Sequence, residues 1–187
     1  NIRKHLDEEK LMPQINKYAD RCITNSCIDP ALYDKYNVKS GLREKGGQGV
    51  LTGLTEIGDV HSFDIVDGKS VPCEGRLFYR GIDINDIVNG FIKEDRFGFE
   101  EVTYLLLFGE LPTARRLENF NKVIAEYRTL PATFVRDIIM KAPSSDMMNQ
   151  LARCVLSLYS WDDNPDDTSI PNVVRQCISL ISRVPLI

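Results

Sequence analysis

The chain has only two histidines, His5 and His61, and a single tryptophan among its 187 residues. So little histidine leaves few groups able to move a proton near neutral pH. A long apolar run is also missing: nothing approaches the ~20 residues needed to cross a bilayer as a helix. The opening stretch "NIRKHLDEEKL" has no apolar core of the kind a secretory leader carries. Basic residues are not in excess, with 23 Lys and Arg against 27 Asp and Glu and a formal net charge of −4. Whole-surface binding to nucleic acid is thereby excluded, because neutralising phosphates needs a concentrated positive face. Five cysteines, Cys22, Cys27, Cys73, Cys154 and Cys177, are an odd and scattered set. They read as reduced thiols of a cytoplasmic protein, with neither a disulfide framework nor a paired zinc spacing. An initiating Met is absent, and "SLISRVPLI" stops inside an apolar pattern without a cap. The expectation is a piece of a longer polypeptide.

What is present is mostly helical pattern. Lys4 to Tyr18 reads as a polar helix with Leu6 and Ile15 facing inward and Pro13 as a point of bending or interruption. Cys22 to Val38 is irregular, with a turn at "CIDP" and about one helical turn in "ALYDKY". From Ser40 to Gly81 the texture changes, and nine of the twelve glycines lie there. "VLTGLTEIGDV" and "GRLFYRG" read as strands and "DIVDGK" as a turn or hairpin, a β element too small to stand without neighbouring helices. Beyond it, Ile84 to Lys93 predicts a short helix. Phe99 to Phe108 predicts one buried on more than one face, stopped by Gly109. Thr113 is placed to cap the next helix, whose Leu117, Phe120, Ile124 and Tyr127 form one stripe. Further stripes follow at Phe134, Val135, Ile138 and Ile139; at Met148, Leu151, Val155 and Leu158 beside Cys154; and at Val174, Cys177, Ile178 and Ile181. The fold class is mainly α, with a small β element near residues 48–80.

The residues offer little catalytic pattern. "EKGGQGVLTG" begins a G-x-G, but Thr52 stands where a third Gly belongs and no Gly-Lys-Ser/Thr follows. His61 lies near Asp59 and Asp64 after the strand "EIGDV", a pairing able in principle to serve as a general base. It lacks a nucleophile context such as G-x-S-x-G, so a loop histidine without catalytic duty is the expectation. Asp162, Asp163, Asp166 and Asp167 lack calcium-loop spacing and read as a solvated acidic loop. No metal site is expected.

Four segments, taken in order, carry a resemblance: "GLREKGGQGVLTGLTEI", "EGRLFYRGIDINDI", "FEEVTYLLLFGELPT" and "MMNQLARCVLSL". From about Ser40 to the chain end the sequence resembles the N-terminal part of the citrate synthase family. The resemblance implies a multihelical large domain, with 1–39 a helical arm, 40–187 the first part of that domain, and the small domain outside this chain. It implies a transferase of the tricarboxylic acid cycle, a homodimer that condenses acetyl-CoA with oxaloacetate to citrate and CoA. Acetyl-CoA is then a substrate, and no cofactor is implied. The family's catalytic His and Asp motifs and its main oxaloacetate-binding arginines lie in its second half. Neither His5 nor His61 matches them, so no catalytic residue is expected here and the chain alone is expected to be inactive. Arg43 in "SGLRE" resembles the Gly-x-Arg position that meets a CoA phosphate. The stripe Met148–Leu151–Val155–Leu158 resembles a helix of the dimer interface, where core and partner demand the same apolar period. A 2-methylcitrate synthase acting on propionyl-CoA, and a non-catalytic helical interaction module on the same scaffold, stand as alternatives.

Overall fold

The computed structural model describes residues 8–38 and 53–187. Leu6, His5, Arg43 and the glycine stretch up to Thr52 lie outside the described residues. In chain order the elements are α1 (Glu8–Asn25), α2 (Ala31–Lys35), β1 (Gly58–Val66), β2 (Lys69–Tyr79), β3 (Ile82–Asp83), α3 (Ile84–Lys93), α4 (Phe99–Phe108), α5 (Ala114–Tyr127), a π-helical segment (Val135–Met140), α6 (Met147–Leu158) and α7 (Ile170–Arg183). The mainly helical class with a small sheet is as the sequence predicts. The described residues divide into two compact units: α1 as far as Arg21 joins Ala114 to Ile187, and the other unit lies between Cys22 and Thr113.

In the first unit, α1 buries Ile15, Tyr18 and Ala19, and the Tyr18 ring meets Phe120 edge-on at 5.6 Å. Pro13 neither ends nor interrupts this helix, which runs seven residues beyond the expected stop at Tyr18. The α5 stripe buries Phe120, Val123, Ile124 and Tyr127, and α7 adds Val174 and Ile178. A second cluster forms around Phe134, Cys154 and Leu158, with the Phe134 and Trp161 rings 5.4 Å apart. Asp146, the last residue of "KAPSSD", caps α6, its carboxylate accepting the Asn149 amide at 3.0 Å.

The 134–139 stripe needs correction. The segment is π-helical, so its wider turn brings Phe134, Ile138 and Ile139 to the cluster and leaves Val135 exposed.

In the second unit the sheet is antiparallel in the order β1-β2-β3. Val66 pairs with Lys69 across Asp67 (φ 50°) and Gly68 (φ 73°). Two residues with positive φ make a type I′ turn, for which Asp-Gly is a strongly favoured pair. Arg80 (φ 50°) and Gly81 (φ 79°) turn β2 into β3 in the same way, since Tyr79 pairs with Ile82.

The strand reading of "VLTGLTEIGDV" is corrected. Residues up to Ile57 among those described are not strand, β1 begins at Gly58, and His61 lies within it rather than after it. Nor is the sheet carried by helices along its length. Every residue of β1 is exposed, and in β2 only Cys73 and the base, from Leu77 to Tyr79, are half-buried.

Helices α3 and α4 have the bounds the periodicity predicts. Asp83 caps α3 by accepting the Asn85 amide at 2.9 Å. In α4, Tyr104, Leu105 and Phe108 are at most 1% exposed, and every residue from Glu100 onward is at least half-buried. Burial of such side chains contributes about 1.5–3 kcal/mol each. At Gly109 the backbone turns left-handed, with φ 77°, and its amide closes the helix on the Leu105 carbonyl at 2.9 Å.

Candidate functional site

A helix buried at its C-terminus leaves carbonyls that must find donors. The end of α4 finds three from side chains. Arg80 Nη2 donates to the Leu106 carbonyl at 3.1 Å, the Cys22 thiol to Leu107 at 3.2 Å, and Asn25 Nδ2 to Phe108 at 2.7 Å. The Arg80 charge also suits the negative end of the helix dipole. Arg80 donates a further bond to Ser26 Oγ at 3.1 Å. A left-handed conformation costs a non-glycine residue about 1–2 kcal/mol, and these bonds offset it at Arg80. Beside this cap lies a groove of about 410 Å³ lined by Asn25, Glu56, Asp59, Arg80 and Gly109. The "YRG" and "LLLFGELPT" segments therefore meet in space, the arginine of one closing the helix of the other.

The first unit contains a different polar site. Arg175, 7% exposed, donates to Asp162 Oδ1 at 2.6 Å, to Asn172 Oδ1 at 2.9 Å and to Glu8 Oε2 at 3.4 Å. Asn172 in turn donates to the Asn164 and Asp167 carbonyls at 2.9 and 2.7 Å. Burial acts to raise the Asp162 carboxyl. The Asn164 amide, Arg175 and Gln176 outweigh it and hold the group below the ordinary carboxylate range. Asp162 is thus no solvated loop acid, and sequence reasoning missed this cluster. The one available signal was an arginine at position 175, next to the buried Val174 of a helical stripe. A groove of about 400 Å³ opens here, lined by Trp161, Asp162, Arg175, Ser179 and Arg183 among others. Burial pushes the Tyr127 phenol up to about 12 and pulls Arg183 down, and Arg183 donates to the Thr129 carbonyl at 3.0 Å.

A third cluster sits on the hairpin. His61 Nε2 and Asp64 Oδ1 are 3.0 Å apart, so the His–Asp pairing is real in geometry, but it is exposed. The ligand atoms of His61, Asp64 and Cys73 all lie within 4.8 Å of one another. Partial burial, and then the Asp64 charge, raise the Cys73 thiol. All five cysteines are free.

These arrangements hold and orient; among the described residues, neither groove is lined by a histidine or a cysteine. Among the described residues, nothing pairs a nucleophile with a base in a sheltered pocket. Of the expected interface residues on α6, Leu158 is buried in the core cluster, Leu151 and Val155 are half-buried, and Met148 is 74% exposed. Met147 and Leu156, absent from the sequence stripe, are 83% and 75% exposed. No helix among the described residues is long and apolar enough to cross a membrane.

Residues 46–187 match the family described as "Citrate synthase, C-terminal domain". A 2-methylcitrate synthase 1 of Corynebacterium glutamicum is 29% identical over 143 residues, 76% of this chain and 33% of that protein. The citrate synthase of the same organism is 33% identical over 141 residues, 74% and 29% of the two chains. That of Saccharolobus solfataricus is 26% identical over 132 residues, 67% and 32%. The chain spans about a third of the length of these curated relatives.

Proposed function

The chain belongs to the citrate synthase family, and from that premise we propose that the polypeptide it represents condenses acetyl-CoA with oxaloacetate to citrate and CoA. The family match over residues 46–187 carries this reading. Such a condensation needs a base to take a proton from the acetyl methyl group and a donor aimed at the developing oxyanion. His61 is exposed on a hairpin and sits in neither groove. That exposure supports what the family resemblance implies: the catalytic His and Asp belong to the part of the relatives that this chain does not span, and residues 1–187 act as scaffold. In this reading residues 40–187 open the large helical domain, 1–39 form an arm, and Arg43 meets a CoA phosphate. The reaction itself draws on no metal or cofactor.

The enzyme is a cytoplasmic homodimer whose second copy packs along α6. The exposed apolar atoms of Met148, with those of Met147 and Leu156, support that surface, and five free thiols support a reducing compartment.

A second reading, 2-methylcitrate synthesis from propionyl-CoA, is favoured by the identity of the first relative named above. Turnover of the full-length protein with acetyl-CoA and with propionyl-CoA, followed as free thiol in the presence of oxaloacetate, separates the two. A higher kcat/KM for acetyl-CoA supports the first reading, and the reverse order assigns the second. Release from neither would leave a non-catalytic helical module.

A further inference from the structure

We propose that His61, Asp64 and Cys73 form a zinc-type metal site that joins the two strands of the β1–β2 hairpin. Residues three apart in a regular strand point to opposite faces, so His61 and Asp64 should not touch. They touch because the ladder is irregular between them. His61 pairs with Arg76 and Phe63 with Pro72, so Ser62 alone opposes Cys73, Glu74 and Gly75. This bulge turns His61 and Asp64 toward each other and brings Cys73 of the opposite strand to the same place. Pro72, which has no amide to give a ladder, is accommodated because β2 pairs with β3 only at Phe78 and Tyr79, leaving its other edge open at this point.

The donor set selects the ion. An imidazole nitrogen, a carboxylate oxygen and a thiolate sulfur are borderline-to-soft ligands that suit zinc, whereas calcium and magnesium take oxygen. Three protein ligands with water in a fourth position are an established zinc arrangement. Tetrahedral zinc at the usual bond lengths sets its donors about 3.4–3.6 Å apart. The donor atoms here lie within 4.8 Å, with the His61–Asp64 pair already at 3.0 Å, so side-chain rotation alone closes the shell. The gain is structural. An isolated hairpin is marginal in water, β1 is exposed throughout, and a metal cross-link would order it. The site is independent of the condensation chemistry proposed above.

The test uses the metal-free, reduced 1–187 chain, titrated with Zn²⁺ against a chromophoric chelator and separately with Co²⁺. We expect a single equivalent bound, a thiolate-to-cobalt charge-transfer band, and slower amide exchange between Gly58 and Tyr79 on adding Zn²⁺. C73S and H61A should each weaken Zn²⁺ binding by about tenfold or more, and C73S should abolish the cobalt band. C27S, at an exposed thiol elsewhere, should change neither. Three results overturn the proposal: no Zn²⁺ uptake, a cobalt complex without the thiolate band, or wild-type affinity in both C73S and H61A. Far-UV circular dichroism of each variant checks that the fold is intact, and D64N provides an independent ligand loss on the strand that holds His61.

Discussion

Helix α4 and the β1–β2 hairpin lie in the same compact unit, and both are rich in apolar residues, yet they are held in opposite ways. In α4, Leu105 and Phe108 are fully buried and the terminal carbonyls are taken by Arg80, Cys22 and Asn25. In the hairpin, Val60 and Ile65 are 71% and 66% exposed, and the order comes from the ladder and its Asp-Gly turn. Apolar content alone therefore does not place a segment in the core. What differs is how each end is finished: α4 is closed by side chains from α1 and from the β2–β3 turn, whereas the hairpin projects beyond its half-buried base.

Four outcomes test this contrast. The largest effect is expected from Leu105→Ala, which opens a cavity in a fully buried site and should cost about 2–5 kcal/mol in urea unfolding. Gly109→Ala should come next. Its φ of 77° strains any Cβ, and that Cβ would lie 2.9 Å from Asn25 Cβ, for a loss of at least about 1–2 kcal/mol. Asn25→Ala strands the Phe108 carbonyl and should cost about 1 kcal/mol. Ile65→Thr on the exposed hairpin should stay within about 0.5 kcal/mol. Equal losses at Leu105 and Ile65 would erase the distinction.

Acid sharpens it further. Asp83, at the hairpin base, is held below the ordinary carboxylate value by the Asn85 amide and then by Arg76. Its folded value is depressed, so its stabilisation is complete above the unfolded value of about 3.9 and is lost as pH falls through the lower folded value. The α4 C-cap bonds come from a guanidinium, an amide and a thiol rather than a carboxylate. In an NMR titration the Asn85 amide should shift with a midpoint below about 3.9, while the Gly109 amide stays fixed. A Gly109 amide that moves with Asn85 would tie the cap to the carboxylate.

Much of this was legible in the residues. The bounds of α3 and α4, the Gly109 stop and the Asp-Gly turn all follow from local chemistry. Contacts far apart in sequence were not legible. Nothing in "YRG" says that Arg80 will cap a carbonyl 26 positions on. Nothing in "WDDNPDD" says that Asp162 will meet a buried Arg175. The strand start was misplaced because Leu54 and Ile57 share the β composition but lie outside the strand. The π-helical turn escaped because periodicity reading assumes a 3.6-residue repeat. Met148, Leu151, Val155 and Leu158 share one period but divide between core and surface. Burial of that stripe depends on what packs against it, which no spacing records.

In the function proposed above, this chain supplies scaffold to a citrate synthase family enzyme and leaves the chemistry to the rest of the polypeptide. The most direct test is release of free thiol by purified residues 1–187 incubated with acetyl-CoA and oxaloacetate. No release above the enzyme-free rate is expected. Release above it that depends on oxaloacetate would overturn the scaffold role.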